Sequence, residues 1–205
     1  IAANVQIPVS ADIEAGYGPS AQDVAETIRG AIKAGAVAVN LEDNARDPGT
    51  PLYSIEAQSE RIAAARAEAA QAGFPFIINV RTDTYLVRTG EKAEILRETI
   101  DRAKAYRQAG ADSIFVPFVI DPETIQALVK DIPGPLNIVI APGSPPIPQL
   151  FAWGVQRISI GSIATLATMG LVRDIAHELR ETGTYETLTQ HLMSDAQANA
   201  LFAAH

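Results

Sequence analysis

The chain has 205 residues, of which 47% are hydrophobic and 20% are charged, a balance typical of a globular protein with one large or two small domains. Sixteen Lys and Arg residues against 24 Asp and Glu residues give a formal net charge of −8, so a basic nucleic-acid-binding surface is not expected. The chain contains no cysteine, which excludes a disulfide, a thiolate metal site and a cysteine nucleophile. No apolar run approaches the roughly 20 residues that a membrane-spanning helix needs.

Short apolar runs alternate with amphipathic segments along the whole chain. The predicted strands are Ile7–Asp12, Ala36–Asp43, Pro75–Asp83, Ser113–Val119, Leu136–Ala141 and Arg157–Gly161. They are rich in β-branched residues and nearly continuous in apolar side chains, which is typical of parallel strands covered on both faces. The predicted helices are Ser20–Ala34, Ile55–Ala72, Lys92–Ala109, Pro122–Lys130, Pro146–Trp153, Ile163–Thr182 and Tyr185–Ala204.

Capping residues and glycines mark the ends of these helices. Ser20 and Asp121 are predicted N-caps, and Pro122 follows the second of them at the first helical position. A glycine lies between a helix and the next strand in four segments, AGAVAV, AGFPFI, AGADSI and WGVQRI.

Alternating strands and helices predict a parallel sheet, either open or closed into a (β/α)8 barrel. Six strands are visible where a barrel has eight, so we expect a TIM-type barrel whose first one or two strands precede Ile1. The chain begins with isoleucine, and we expect further residues before it. We predict a single domain over 1–205, in which about 184–205 form a C-terminal helical extension.

Charged residues stand where each of the first three predicted strands ends. The pairs are Asp12 and Glu14, Glu42 and Asp43, and Arg81 and Asp83. An isolated acid in such a place is more often a helix cap or a solvated loop residue, but three successive strand ends favour function. The carboxyl ends of parallel strands are where active sites of these folds assemble.

The residue types at these ends indicate a hard metal and an anion. Residues i and i+2 of a strand share a face, so Asp12 and Glu14 are expected to converge. Carboxylate oxygens suit Mg²⁺ or Mn²⁺, and Glu42 is the third candidate ligand. Arg81 would bind a substrate carboxylate or phosphonate, and its alternative is a structural ion pair with a strand-end acid. A metal and a guanidinium around an oxo-acid can stabilise an enolate.

These motifs resemble the isocitrate lyase/phosphoenolpyruvate mutase superfamily over essentially the whole chain. The family's Asp-x-Asp and Gly-Tyr/Phe-Gly signature stands here as ADIEAGYG, its Glu-Asp strand as GAVAVNLED and its Arg-Thr-Asp strand as NVRTDTYL. The resemblance implies a β/α barrel with Mg²⁺ at the carboxyl ends of the strands. It implies metal contacts from Asp12, Glu14 and Glu42, and a substrate carboxylate on Arg81.

Further substrate contacts follow from the same resemblance. PLNIV matches the family's late asparagine at Asn137, and Gly16 and Tyr17 belong to the loop that would turn over the anion. Asn44 is the candidate for the asparagine of the mutase's gating loop, and Asn44 and Arg81 are the predicted catalytic residues.

The sequence also departs from the family pattern. The lyases' Lys-Lys/Arg-Cys-Gly-His loop is replaced by NARDPGTPLYS, which argues against a conventional isocitrate lyase. Our first hypothesis is a Mg²⁺-dependent C–C lyase or decarboxylase acting on a small 2-oxo acid or substituted malate through an enolate. The alternatives are a P–C bond enzyme, either a phosphoenolpyruvate mutase or a phosphonopyruvate hydrolase, and a non-catalytic anion-binding barrel.

Assembly and location are further expectations. In this superfamily the last helices pack against a neighbouring subunit, so the resemblance implies a homodimer or homotetramer. With no cysteine and no membrane segment, we expect a cytoplasmic protein whose partners are a small anionic substrate and its own copies, with neither nucleic acid nor membrane.

Overall fold

The computed structural model describes residues 1–190 and 192–202. The chain divides into two compact units, residues 1–159 and residues 160–205, which are described separately. The expectation of a single domain over 1–205 stays a prediction.

The first unit is built on six parallel strands. They are β1 (Ser10–Asp12), β2 (Ala38–Glu42), β3 (Ile77–Arg81), β4 (Ser113–Val116), β5 (Leu136–Val139) and β6 (Arg157–Ser159). Each strand pairs in parallel with the next along the chain, in the order β1-β2-β3-β4-β5-β6. This order is that of consecutive strands of a β/α barrel, and the expected fold class is confirmed with six strands forming a half-barrel.

Helices follow the strands and cover the sheet. In the first unit they are α1 (Ala21–Lys33), α2 (Ile55–Ala69), α3 (Thr84–Val87), α4 (Lys92–Ala109), α5 (Pro122–Asp131) and α6 (Ile147–Trp153). The helices predicted for this unit all occur, and only the one-turn α3 and a short 3₁₀ turn at Ala2–Asn4 were not expected. Both are too short to show an apolar period in the sequence.

The predicted helix ends have the expected capping hydrogen bonds and glycine conformations. The Ser20 side chain accepts a hydrogen bond from the backbone N–H of Asp23, and the Asp121 carboxylate accepts one from that of Thr124. The four glycines predicted to precede strands all adopt positive φ angles: Gly35, Gly73, Gly110 and Gly154. A residue with a β-carbon would be strained there, which explains why glycine ends these helices.

The strands and the inner faces of the helices form one apolar core. β4 is buried along its entire length, with Ile114 and Val116 fully shielded from solvent. Val39 and Leu41 of β2 and Ile78 of β3 belong to the same core. Because the sheet interior is rigid, the carboxyl ends of the strands are a fixed platform for side chains.

The second unit is helical, with α7 (Ile163–Glu181), α8 (Glu186–Gln190) and α9 (Asp195–Ala200). The single helix predicted over Tyr185–Ala204 is therefore wrong within the described residues: it is divided in two, and its last two residues lie outside them. The division has a local cause, since Ser194 and Gln197 form a capping box that begins a new helix. No helix among residues 1–190 and 192–202 is long and apolar enough to cross a membrane.

Candidate active site at the carboxyl ends of the strands

The turn after β1 places the first two acids. β1 ends at Asp12, whose carboxylate accepts a hydrogen bond of 3.0 Å from the backbone N–H of Glu14. Glu14 has a φ angle of +49° and lies beyond the strand. The expectation that Asp12 and Glu14 share one face of a strand is therefore wrong, because the turn that Asp12 closes rotates Glu14 out of the strand's alternation.

Main-chain pairing nevertheless brings Glu14 beside Glu42. The backbone N–H of Glu42, the last residue of β2, donates to the carbonyl of Glu14 at 2.8 Å. The two side chains then face a common partner, Arg46, whose guanidinium nitrogen lies 3.1 Å from a carboxylate oxygen of Glu14 and 3.3 Å from one of Glu42. Two acids, one in the turn after β1 and one at the end of β2, thus converge on the guanidinium of Arg46.

Glu42 is the buried member of this group. Its side chain is only 6% exposed. Burial raises the pKa of Glu42 above the ordinary glutamate value, and the charge of Arg81 opposes that rise. A positive charge beside this carboxylate therefore stabilises its ionised form.

Arg81 ends β3 on the other side of Glu42. One guanidinium nitrogen lies 3.4 Å from a Glu42 oxygen, and two others donate to both carboxylate oxygens of Asp83, at 2.5 and 3.1 Å. Burial by itself lowers the pKa of Arg81, but the hydrogen bonds and charge of Asp83 and the charge of Glu42 raise it overall. The structural ion pair considered for Arg81 is thus present, and it holds the guanidinium against the acidic group.

Asn44 is occupied within the protein. Its side-chain amide donates to Asp83 at 3.0 Å, and its side-chain oxygen accepts from the backbone N–H of Arg46 at 2.9 Å. Asn44 therefore links the loop carrying Arg46 to the Arg81–Asp83 pair. Its predicted catalytic role stays a prediction.

A buried network behind the site was not predicted from the sequence. Asp43 is fully buried and accepts hydrogen bonds from the hydroxyls of Thr82 and Tyr106, the backbone N–H of Asp83 and the guanidinium of Arg102. Burial raises the pKa of Asp43, and these donors oppose the rise. The sequence signal was the acid next to Glu42, but its partners come from the segment directly after β3 and from α4, which only the fold brings together.

The loop after β1 lines an adjacent cavity of about 290 Å³. Its wall includes Glu14, Tyr17, Arg46 and Tyr53. Tyr17 is largely exposed and has a φ angle of +56°, and Gly16 has a φ angle of +84°. A β-carbon at Gly16 would lie 2.8 Å from a methyl carbon of Val24, so glycine is required for this close approach.

Asn137 lies in a different group of side chains. It is fully buried, and it exchanges hydrogen bonds with Asn79, Arg157 and Ser159 in the interior of the sheet. The structure shows no hydrogen bond between Asn137 and the acids at the strand ends, among the residues it describes. The predicted substrate contact of Asn137 stays a prediction, as do those of Gly16 and Tyr17.

Two acids, and not three, face a common point near the strand ends. Within the described ranges, 1–190 and 192–202, no group of three or more His, Asp or Glu residues could hold a metal ion. Mg²⁺ binds through one or two carboxylates and keeps several waters, so it does not require such a group. The shared contact of Glu14 and Glu42 with the Arg46 guanidinium demonstrates that both can face one cation.

Comparison with known proteins identifies the class to which this fold and these strand ends belong. The sequence model of the family described as phosphoenolpyruvate phosphomutase matches residues 1–180. The chain belongs to this family, within the isocitrate lyase/phosphoenolpyruvate mutase superfamily, and the resemblance seen in the motifs is confirmed.

Individual relatives differ in the reactions that their names state. Phosphonopyruvate hydrolase of Variovorax sp. strain Pal2 is 31% identical over 198 residues, covering 89% of this chain and 65% of that protein. A candidate lyase/mutase structure from Burkholderia cenocepacia J2315 superposes with a TM-score of 0.89 at 38% identity, covering 97% of this chain and 70% of that one. A phosphonopyruvate hydrolase structure in complex with oxalate and Mg²⁺ has a TM-score of 0.76 at 29% identity, covering 98% of this chain and 70% of that one.

The chain spans less than two thirds of the length of the curated relatives it matches, since the shares for the first three are 57%, 57% and 65%. The names of these relatives therefore do not establish the activity of the whole protein, which is proposed below.

Proposed function

We propose that the protein is a Mg²⁺-dependent enzyme that acts on a small 2-oxo acid or substituted malate and breaks a C–C bond, as a lyase or a decarboxylase. One observation carries the proposal: Glu14 and Glu42 converge from two strand ends on one cationic group, and Arg81 lies against the same Glu42. A metal ion at the two glutamates and an anion at Arg81 would then lie next to each other.

Each residue has a distinct part in the proposed reaction. Glu14, Glu42 and Asp12 would hold Mg²⁺ directly or through water, and Mn²⁺ would suit the same oxygens. When bound, the ion supplies Lewis-acid stabilisation of the enolate that forms as the C–C bond breaks. Arg81 binds the substrate carboxylate with those guanidinium N–H groups that Asp83 does not occupy, because arginine has five such donors.

The loop after β2 bears on whether a C–C or a P–C bond is broken. A P–C bond enzyme needs a group that receives or attacks the phosphoryl group. The Asn44 side chain is engaged with Asp83 and Arg46, and the Asp47 carboxylate accepts from the backbone N–H of Gly49 at 2.8 Å. Decarboxylation needs no nucleophile, only stabilisation of the enolate and orientation of the leaving carboxylate.

Hydrolysis of a P–C bond is the second candidate. It is favoured by the 31% identity to phosphonopyruvate hydrolase over 89% of this chain. The two candidates differ in their products, because the hydrolase reaction alone releases inorganic phosphate.

A substrate panel with product analysis tests both candidates. The protein is incubated with Mg²⁺ and with oxaloacetate, substituted malates or phosphonopyruvate, and pyruvate and phosphate are measured. Pyruvate without phosphate, from a malate or oxaloacetate, is the expected result, and phosphate release would favour the second candidate. Oxalate binding to Arg81→Ala and to the control Arg29→Ala, which removes a surface ion pair with Glu68, is measured by calorimetry. The enzyme proposal fails if no substrate yields pyruvate and Arg81→Ala binds oxalate as tightly as the parent.

We also propose that the protein assembles as a homodimer or homotetramer. The second unit supports this, since α7 buries none of its residues and exposes Leu166, Met169 and Val172 at three-residue intervals. Exposed apolar side chains in one stripe are typical of interaction surfaces. Light scattering that detects only monomer at micromolar concentration would refute the proposal.

A further inference from the structure

Arg61 is a buried arginine on the helix that follows β2. Residues Gln58, Arg61, Ile62, Ala65 and Ala69 form the buried face of α2. The amino-terminal end of this face is polar and its remainder is apolar. Because a helix after a parallel strand returns from the strand's carboxyl end, the polar part lies at the level of the candidate site.

The guanidinium of Arg61 contacts the backbone of the loop that follows β1. It donates to the carbonyls of Gly18 at 2.9 Å, Pro19 at 2.5 Å and Ser20 at 3.4 Å, and also to that of Ala15. Four carbonyl oxygens of one short loop therefore point at one side chain.

Among the residues that the structure describes, this guanidinium forms no salt bridge, although the nearby charge of Asp23 favours its protonated form and, against the larger effect of burial, raises its pKa. Its remaining contacts are the Gln58 side chain, at 3.0 Å, and the ring of Tyr53, whose centroid lies 4.2 Å from the guanidinium carbon. Burial lowers the pKa of Arg61, although its charge is retained because arginine is protonated throughout the physiological range. The loop carbonyls and the aromatic face compensate for the lost hydration.

Arg61 thereby connects the separate parts of the site. Tyr53 ends the loop that carries Arg46, and Gln58 donates to the carbonyl of Glu42 at 3.2 Å. The loop held by Arg61 carries Glu14 at its start. Gln58 and Arg61 on α2 therefore contact both the strand that carries Glu42 and the loop that carries Glu14.

We propose that Arg61 is a positioning residue that holds residues 14–20 at the distance from Glu42 at which Glu14 can share a cation with it. The inference rests on the proposed function for the identity of the cation, but the contacts that carry it are independent of that function. Lysine cannot replace Arg61, since a single ammonium cannot reach carbonyls spread over the fork of a guanidinium.

Arg66 provides a matched control on the same helix. It also donates to main-chain carbonyls, those of Gly110 and Phe76, and it pairs with Asp112. These groups precede β3 and β4, at the end of the sheet opposite to the candidate site. Removal of Arg66 therefore costs stability of a similar kind without touching residues 14–20.

The experiment compares Arg61→Lys, Arg61→Met and Arg66→Met with the parent protein. Amide hydrogen exchange of residues 14–20 is followed by mass spectrometry, and binding of Mg²⁺ and of oxalate with Mg²⁺ is measured by calorimetry. Both Arg61 variants should accelerate exchange in this loop at least tenfold and weaken Mg²⁺ and oxalate binding at least tenfold. Arg66→Met should lower the melting temperature and leave both quantities within twofold of the parent.

The outcomes separate this proposal from the proposed function. If Arg61→Lys matches the parent in loop exchange and in Mg²⁺ affinity, Arg61 does not position the loop and the inference is overturned. Arg61→Lys decides the matter if Arg61→Met does not fold. If the parent binds neither Mg²⁺ nor oxalate, the proposed function fails, and loop exchange alone decides whether Arg61 is a positioning residue.

Discussion

Replacement of Arg46 by methionine should increase the affinity of the protein for Mg²⁺. The Arg46 guanidinium contacts the carboxylates of Glu14 and Glu42, the same oxygens that the proposed metal would use. A cation that binds there must displace the guanidinium or share the two carboxylates with it. Methionine keeps much of the length of the side chain and removes the charge.

The magnitude follows from the exposure of the three side chains. The Arg46 side chain is 60% exposed and that of Glu14 is 48% exposed, so solvent screens their interaction, whereas Glu42 is 6% exposed. Ion pairs near the surface contribute about 0.2–1 kcal/mol each. Two of them amount to about 0.4–2 kcal/mol, which corresponds to a gain of about 2- to 30-fold in Mg²⁺ affinity.

The assay is calorimetric titration with MgCl₂ alone, at low and at high ionic strength. The gain in Mg²⁺ affinity should be smaller in about 0.5 M salt, because the Debye length then falls to a few ångströms and the ion pairs of Arg46 are screened. Arg29→Met is the control, because Arg29 is 59% exposed and pairs with Glu68 away from the strand ends. Equal or weaker Mg²⁺ binding by Arg46→Met, with Arg29→Met unchanged, would refute the view that the guanidinium and the metal compete for one place.

Two further predictions concern stability. Ile114→Ala removes a fully buried side chain from the centre of the sheet and should lower the free energy of unfolding by about 2–5 kcal/mol in a urea titration. The control Ile77→Ala, at a position that is 43% exposed, should lower it much less. Equal losses in the two variants would contradict the core described above. Hydrogen bonds from the Thr184 and Thr187 side chains and from the Thr187 and Glu186 backbone lower the pKa of Glu178 to about 2. Because this pKa is depressed, the stabilisation of α8 is present above the ordinary value of 4.5 and is lost as the pH falls toward about 2. Glu178→Gln should therefore reduce amide protection at Glu186 and Thr187 at pH 7 and have little effect near pH 2, and a pH-independent difference would contradict the assignment.

The sequence predicted the six strands and their flanking helices because their signals are local. Apolar runs of β-branched residues predict strands, and a capping residue or a glycine marks each helix end. The observed strands are shorter than the predicted runs, as β1 shows: Ile7–Asp12 was predicted and Ser10–Asp12 is paired. An apolar run extends beyond the residues that have a neighbouring strand to pair with.

The candidate site was only partly predictable. Glu42 and Arg81 could be identified because they end predicted strands, and their 3.4 Å contact follows from the parallel pairing of β2 with β3. The shared face expected for Asp12 and Glu14 was wrong, because the turn closed by the Asp12 carboxylate changes the direction of the following residues. The residues of the Asp43 network lie 39 to 63 positions apart from Asp43 and have no periodic pattern.

The order of elements was thus set by local chemistry, and it implied that strand-end acids would gather at one edge of a parallel sheet. The partners of those acids were decided by the tertiary structure alone. Arg46 and Arg61 look like ordinary surface charges in the sequence, since nothing in their neighbours predicts a left-handed turn at Glu14 or four carbonyls facing one helix. Contacts between a side chain and the backbone of a distant loop depend on the path of that loop. That path is determined only when the strands on both sides of it are paired.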